Sequence, residues 1–177
     1  MGMNYSITPL RDEDIASVID LVNSAYRGEG SKKGWTTEAD IITGNLRIDD
    51  VAVKDMLQKP GAVILTCKAG NALYGCVYLD EEENGLYLGM LSVSPDEQGS
   101  GIGKKLLEAS EDHARKFNYD HIKMTVINIR HELIAWYERH GYKRTGETKP
   151  FPDDGKFGRP TKPIEFIVLK KMISGSK

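Results

Sequence analysis

Residues 86–104 read Leu86-Tyr-Leu-Gly-Met-Leu-Ser-Val-Ser-Pro-Asp-Glu-Gln-Gly-Ser-Gly-Ile-Gly-Lys104. The apolar run Leu86–Val93 reads as a strand; it breaks at Pro95 and passes through Gly99, Gly101 and Gly103 into a helical pattern that begins near Ile102. A glycine-dense turn from strand to helix leaves backbone N–H groups with no intrahelical partner, at the positive end of the helix dipole. Such a turn is an anion site, most often for phosphate. The chemistry implied is capture of a phosphorylated cofactor by Gln98, Gly99, Ser100, Gly101, Ile102, Gly103 and Lys104.

The spacing excludes two familiar phosphate loops. A Walker loop ending at Gly103-Lys104 requires glycine at Gln98 and a hydroxyl residue at Lys105. A dinucleotide fingerprint starting at Gly99 requires Gly or Ala at Lys104. What remains is Gln-x-x-Gly-x-Gly, formed by Gln98, Gly101 and Gly103, with Lys104 and Lys105 adding positive charge. This run resembles the phosphate-binding signature of the GNAT superfamily of acyl-CoA N-acyltransferases. A second stretch resembles the same family. In Arg130-His-Glu-Leu-Ile-Ala-Trp-Tyr-Glu-Arg-His-Gly-Tyr142, a short helix after a strand ends in Tyr-x-x-x-Gly-aromatic, as Tyr137, Gly141 and Tyr142.

The resemblance covers residues 3–170, is densest at 91–117 and 130–148, and is thin before residue 60. It implies an α/β fold with a mixed, mostly antiparallel seven-stranded sheet, flanked by helices and split at the central strand. It implies acetyl-CoA as co-substrate and Tyr137 as the general acid beside the thioester sulfur. A phenol of pKa ~10 can protonate a departing thiolate whose thiol lies near ~8.5. The family often has Asn seven residues ahead of that tyrosine. Here the position is Arg130, the pattern of a side branch of the family; Arg130 is kept among the cofactor-binding residues, though the departure weakens a hydrogen bond to pantetheine there. A glutamate base found on the central strand of some members is missing, with Tyr87 at that position. Glu38, Asp40, Asp80 and Glu81–Glu83 are alternative bases, and each also reads as an ordinary solvated carboxylate.

Gly89 interrupts the central strand. A strand glycine marks a bulge, or makes room for a large side chain. A bulge would splay the strand and free backbone groups at Leu91, Ser92 and Val93 to pair with the pantetheine amides, as an added strand would. Gly34-Trp-Thr-Thr-Glu-Ala-Asp40 resembles a GNAT run in the loop that roofs the acceptor. There Trp35 offers a flat apolar wall and Glu38 a charge for a cationic amine. The plainer reading is a helix capped at Thr36 or Thr37, with Trp35 anchoring the loop. Phe151 and Phe157, in the proline-rich stretch 149–163, are placed to complete that pocket.

The rest of the chain fits a small enzyme. Its 177 residues predict one domain, 1–177, with 174–177 a frayed tail. A net charge of −2 argues against nucleic-acid binding, and no apolar run is long enough for a membrane span. The polar start Met1–Leu10 gives no signal peptide, and Cys67 and Cys76 lack metal or redox spacing, so a cytoplasmic setting with reduced thiols is expected. His113, His121, His131 and His140 lack ligand spacing, and no metal is expected. The predicted strands are 4–8, 62–67, 72–79, 86–93, 122–127, 142–148 and 164–169. Helices are predicted at 11–26, from Thr37, at 49–58, from 102 to 117 and at 131–140. The implied reaction is direct transfer of an acetyl group from acetyl-CoA to a primary amine of a small molecule, without an acyl-cysteine. The rivals are a non-catalytic acyl-CoA-binding module and an enzyme acting on protein amines. A homodimer is allowed by the sequence without being specified by it.

Overall fold

The structure, a computed structural model, describes residues 4–27, 31–32, 37–44, 46–98, 100–152, 155 and 158–173. Seven strands and four α-helices alternate along the chain. They are β1 (Ser6–Pro9), α1 (Ile15–Tyr26), α2 (Asp50–Leu57), β2 (Val63–Ala69), β3 (Ala72–Glu82), β4 (Gly85–Val93), α3 (Ile102–Lys116), β5 (His121–Ile127), α4 (His131–Arg139), β6 (Lys143–Pro150) and β7 (Glu165–Met172). One sheet runs in the order β1-β2-β3-β4-β5-β7-β6. Every neighbour pair is antiparallel except β4–β5. This is the expected mixed, mostly antiparallel seven-stranded sheet.

The helices divide between the two faces because alternate strand residues point to opposite sides. On one face Leu65, Val77, Leu79 and Leu88 pack against Ile102, Leu106 and Leu107 of α3 and Ile134 of α4. Gly75 allows α3 to lie close: a Cβ there would stand 2.8 Å from Ile102 Cγ2. On the other face Ile64, Cys76, Tyr78 and Met90 meet Val18, Leu21 and Val22 of α1. Each fully buried Leu, Ile or Val contributes roughly 1.5–3 kcal/mol. Asp49 caps α2 by accepting the Ala52 N–H at 2.8 Å.

Several expected boundaries move. β3 runs on to Glu82, so the hairpin reverses at Glu83 and Asn84, both at positive φ, and two of the three acidic residues sit in strand. β6 and β7 are longer than expected, and β6 bulges between Arg144 and Thr148. The helix expected from Thr37 does not form. Thr37 Oγ1 instead accepts the Ala39 N–H at 3.1 Å and shares a hydrogen bond with Ser31 Oγ. One turn follows, closed by Ile42 N–H on the Glu38 carbonyl, and Ile42 then bridges Pro160. Thr43 and Thr161 extend that pairing with Arg159 and Ile41, holding residues 41–43 against the proline-rich stretch. Gly158 is required there: a Cβ would lie 1.9 Å from the Thr43 carbonyl oxygen.

Candidate active site

The turn after β4 is tied to its strand by Gln98, whose Nε2 donates to the Val93 carbonyl at 3.2 Å. Gly101 occupies the N-cap of α3 at φ 89°, a left-handed conformation that favours glycine. A Cβ at Gly101 would meet nothing within 4 Å, so the space over the helix start is open. Ile102, Gly103 and Lys104 form the first turn, whose N–H groups have no intrahelical acceptor. Gly103 lets α4 approach, since a Cβ there would press to 3.2 Å on the Trp136 ring. Ser100 is exposed, with its hydroxyl donating to the Glu97 carbonyl. Gly99 lies outside the described residues. A cavity of about 620 Å³ opens here, lined by Gln98, Gly101, Gly103 and Lys104 on one side and by Trp136 and Arg139 on the other.

The sheet opens beside it. β4 and β5 pair only at Leu86–Ile122 and Tyr87–Lys123. Opposite β3, the register slips between Cys76 and Tyr78, which makes Met90 and Leu91 a bulge, with Met90 at φ 58°. Gly89 itself makes room for a side chain: the Tyr87 ring lies 2.8 Å from where its Cβ would be. Gly89 thus makes room for a large side chain, and the bulge falls just after it at Met90 and Leu91. Leu91 and Val93 line the large cavity, whereas Ser92 is buried, its hydroxyl donating to the Met90 carbonyl. The Leu91 carbonyl accepts the Tyr26 hydroxyl.

A middle cavity of about 160 Å³ shares Tyr26, Leu91, Leu133 and Tyr137 with the first. It shares Glu38, Arg47, Met90 and Ile127 with a third cavity of about 430 Å³ on the far side of the split. The three cavities share these wall residues, and Tyr137 lines the first two. No described residue hydrogen-bonds its hydroxyl. Burial, with Tyr26 and Tyr142 nearby, raises its pKa well above the ordinary tyrosine value.

The third cavity is lined by Met56, Tyr78, Tyr87, Phe151 and Phe166, with Arg27 and Arg47 among them. Glu38 is buried between two guanidinium groups, with Arg27 Nε at 3.0 Å and Arg130 Nη1 at 3.6 Å. Arg130 lines the middle cavity rather than the large one, and its Nη2 is buried with no hydrogen-bond partner among the described residues. Among the other acids, Asp80 is buried and accepts the Tyr78 hydroxyl at 2.8 Å, while Asp40, Glu81 and Glu83 are exposed. None of these lines the middle cavity. Trp35 and Phe157 lie outside the described residues. Both cysteines are buried and free, and burial pushes the Cys76 thiol up to about 12.

A family model described as the acetyltransferase (GNAT) family matches residues 16–142. The chain belongs to the GNAT family. Human N-acetyltransferase 8B is 29% identical over 126 residues, 67% of this chain and 54% of that protein. The chain thus spans about half the length of that curated relative. The ribosomal-protein-S18-alanine N-acetyltransferase of Escherichia coli superposes with a TM-score of 0.71 at 16% identity, covering 98% of this chain and 97% of that one. A GNAT family acetyltransferase from Elizabethkingia anophelis with acetyl-CoA bound gives 0.68 at 17% identity, covering 96% and 98%. At these identities the structural likeness carries the fold.

Sequence reasoning did not single out Tyr26, Arg47, Trp136, Arg139 and His140, which line these cavities. The α4 set had a signal, since Leu133, Trp136, Tyr137 and His140 recur at helical spacing and all line the large cavity. Arg47 had none, because it lies between elements and is brought in by Asn23, whose Oδ1 accepts its backbone N–H. Among the described residues no three His, Cys, Asp or Glu side chains cluster as a metal site, and no helix is long and apolar enough to cross a membrane.

Proposed function

We propose that this GNAT acetyltransferase transfers the acetyl group of acetyl-CoA to a primary amine of a small molecule by direct attack in a ternary complex. The observation that carries the reading is the row of three cavities with shared walls, from the glycine turn, past Tyr137, to a separate cavity of about 430 Å³. In this reading the diphosphate rests on the amides of Gly101, Ile102, Gly103 and Lys104, with Gln98, Gly99 and Ser100 shaping the turn. The pantetheine arm lies in the split beside Leu91, Ser92 and Val93. The amine enters from the third cavity, lined by Glu38 and Phe151, and Trp35 is proposed from the sequence alone as a further acceptor residue.

The amine nitrogen attacks the thioester carbon. A C–N bond forms, the C–S bond breaks, the amine proton passes to water, and Tyr137 gives its proton to the departing sulfur. Burial keeps Tyr137 protonated throughout the neutral range, which suits an acid and not a base. Orientation in these cavities and a backbone N–H for the oxyanion supply much of the acceleration. A thiol pushed to about 12 at Cys76 holds almost no thiolate near neutral pH, in keeping with transfer without an acyl-cysteine.

The test is thiol release from acetyl-CoA across an amine panel, with wild type and Tyr137→Phe. Loss of an acid–base group costs about 10²–10⁴-fold in turnover where it acts. The expected outcome is a fall in kcat into that range with the KM for acetyl-CoA little changed. Full turnover by Tyr137→Phe at every pH would remove Tyr137 from the chemistry.

A further inference from the structure

The described walls of the middle and third cavities carry Arg27, Arg47, Arg130 and Lys59 beside one carboxylate, Glu38. Arg27 and Arg130 both pair with Glu38. Arg47 has no carboxylate partner among the described residues; its guanidinium stands 4.6 Å over the Tyr26 ring. Lys59 adds a further cation at the rim. Arg130 Nη2 is buried at the middle cavity without an acceptor among the described residues. A buried guanidinium N–H left unbonded is costly, and a planar anion is the group whose geometry repairs it. The remaining wall is apolar and aromatic, with Met90, Ile127, Phe151 and Phe166.

We propose that the acceptor is an amine bearing a carboxylate a few bonds from its nitrogen, held by Arg47 with Arg130, and an apolar side group seated on Met90, Ile127, Phe151 and Phe166. The inference rests on the acetyl-transfer reading above. Arg47 lines the middle cavity as well as the outer one, so the carboxylate lies close to the reacting nitrogen. That arrangement is the pattern of an α-amino acid with an apolar side chain. Glu38 then acts by holding Arg27 and Arg130 in place, and its charge is not available to attract an ammonium. Arg47 and Arg130, both on the middle cavity, disfavour the ammonium form of a bound amine. A neutral nucleophile is thereby favoured on a strand, β4, that carries no carboxylate base.

The experiment compares kcat/KM for leucine, methionine and phenylalanine with that for their carboxamides and their decarboxylated amines, by thiol release. Removing the negative charge lowers the amine's pKa, so at neutral pH the carboxamide holds more reactive neutral amine; a preference for the acid reads the pocket and not the chemistry. The expected result is at least a tenfold preference for the acids. Arg47→Gln is expected to bring the acid-to-amide ratio toward one, chiefly through KM, and Arg47→Lys to keep part of it. Acids and carboxamides turned over equally by wild type would overturn the proposal while leaving acetyl transfer intact. No thiol release with any amine would overturn both.

Discussion

Tyr142 is 1% exposed, yet its hydroxyl has no hydrogen-bond partner among the described residues. Its ring supports Tyr137 edge-on at 5.9 Å, and that service needs no oxygen. A buried hydroxyl without a partner costs about 1–3 kcal/mol of desolvation. Tyr142→Phe is therefore expected to raise the urea midpoint, by about 1 kcal/mol of stability, with acetyl transfer retained. A loss of stability would mean that the hydroxyl is satisfied. For Tyr137, near the end of α4, the proposed function assigns the opposite: there the hydroxyl does the chemistry and the neighbouring rings place it. At this scale the sequence was informative for Tyr137, which sits in a motif, and silent for Arg47, which does not.

At the scale of elements, the turn into α3 combines a left-handed glycine, an unobstructed helix start and a glycine-tight contact with α4. Alanine at Gly101 must adopt φ 89°, which costs about 1–2 kcal/mol. The bound turn must keep its shape, so that strain appears in affinity as well as stability. Gly101→Ala is expected to weaken CoA binding roughly tenfold by calorimetry, the equivalent of about 1.4 kcal/mol. Unchanged affinity would place the diphosphate elsewhere. The strands and helices around this turn were legible because their periods are strong. Leu86–Val93 is apolar on both sides, and α3 and α4 each show a helical stripe. The stretch after Thr37 misled because its capping pattern is local. The pairing that overrides it, with residues 159–161, is separated by over a hundred positions and leaves no local trace. The kink at Met90 was legible only as a neighbourhood, since the glycine that flagged it serves Tyr87 instead.

Taken whole, the molecule is two layers of helix on a sheet that its own central strand keeps from closing. Its groups titrate accordingly. Burial raises Cys76 from 9.0 to about 12 and raises Tyr78 and Tyr142 above the ordinary tyrosine value. The folded chain holds these protons where the unfolded chain has lost them, so stability is complete below pH ~9 and declines as pH rises toward ~12. Urea midpoints should be level from pH 7 to 8.5 and fall at pH 10.5. A midpoint that stays level at pH 10.5 would show that these groups are not buried as described. In the proposed reading the split in the sheet lets cofactor and acceptor meet near Tyr137. The most direct measurement is a crystal structure of the chain with acetyl-CoA. The account predicts the diphosphate on the amides of Gly101–Lys104, the pantetheine in the split beside Leu91 and Val93, and the thioester sulfur within hydrogen-bond reach of the Tyr137 hydroxyl. A cofactor bound away from the glycine turn, or a thioester remote from Tyr137, would contradict it.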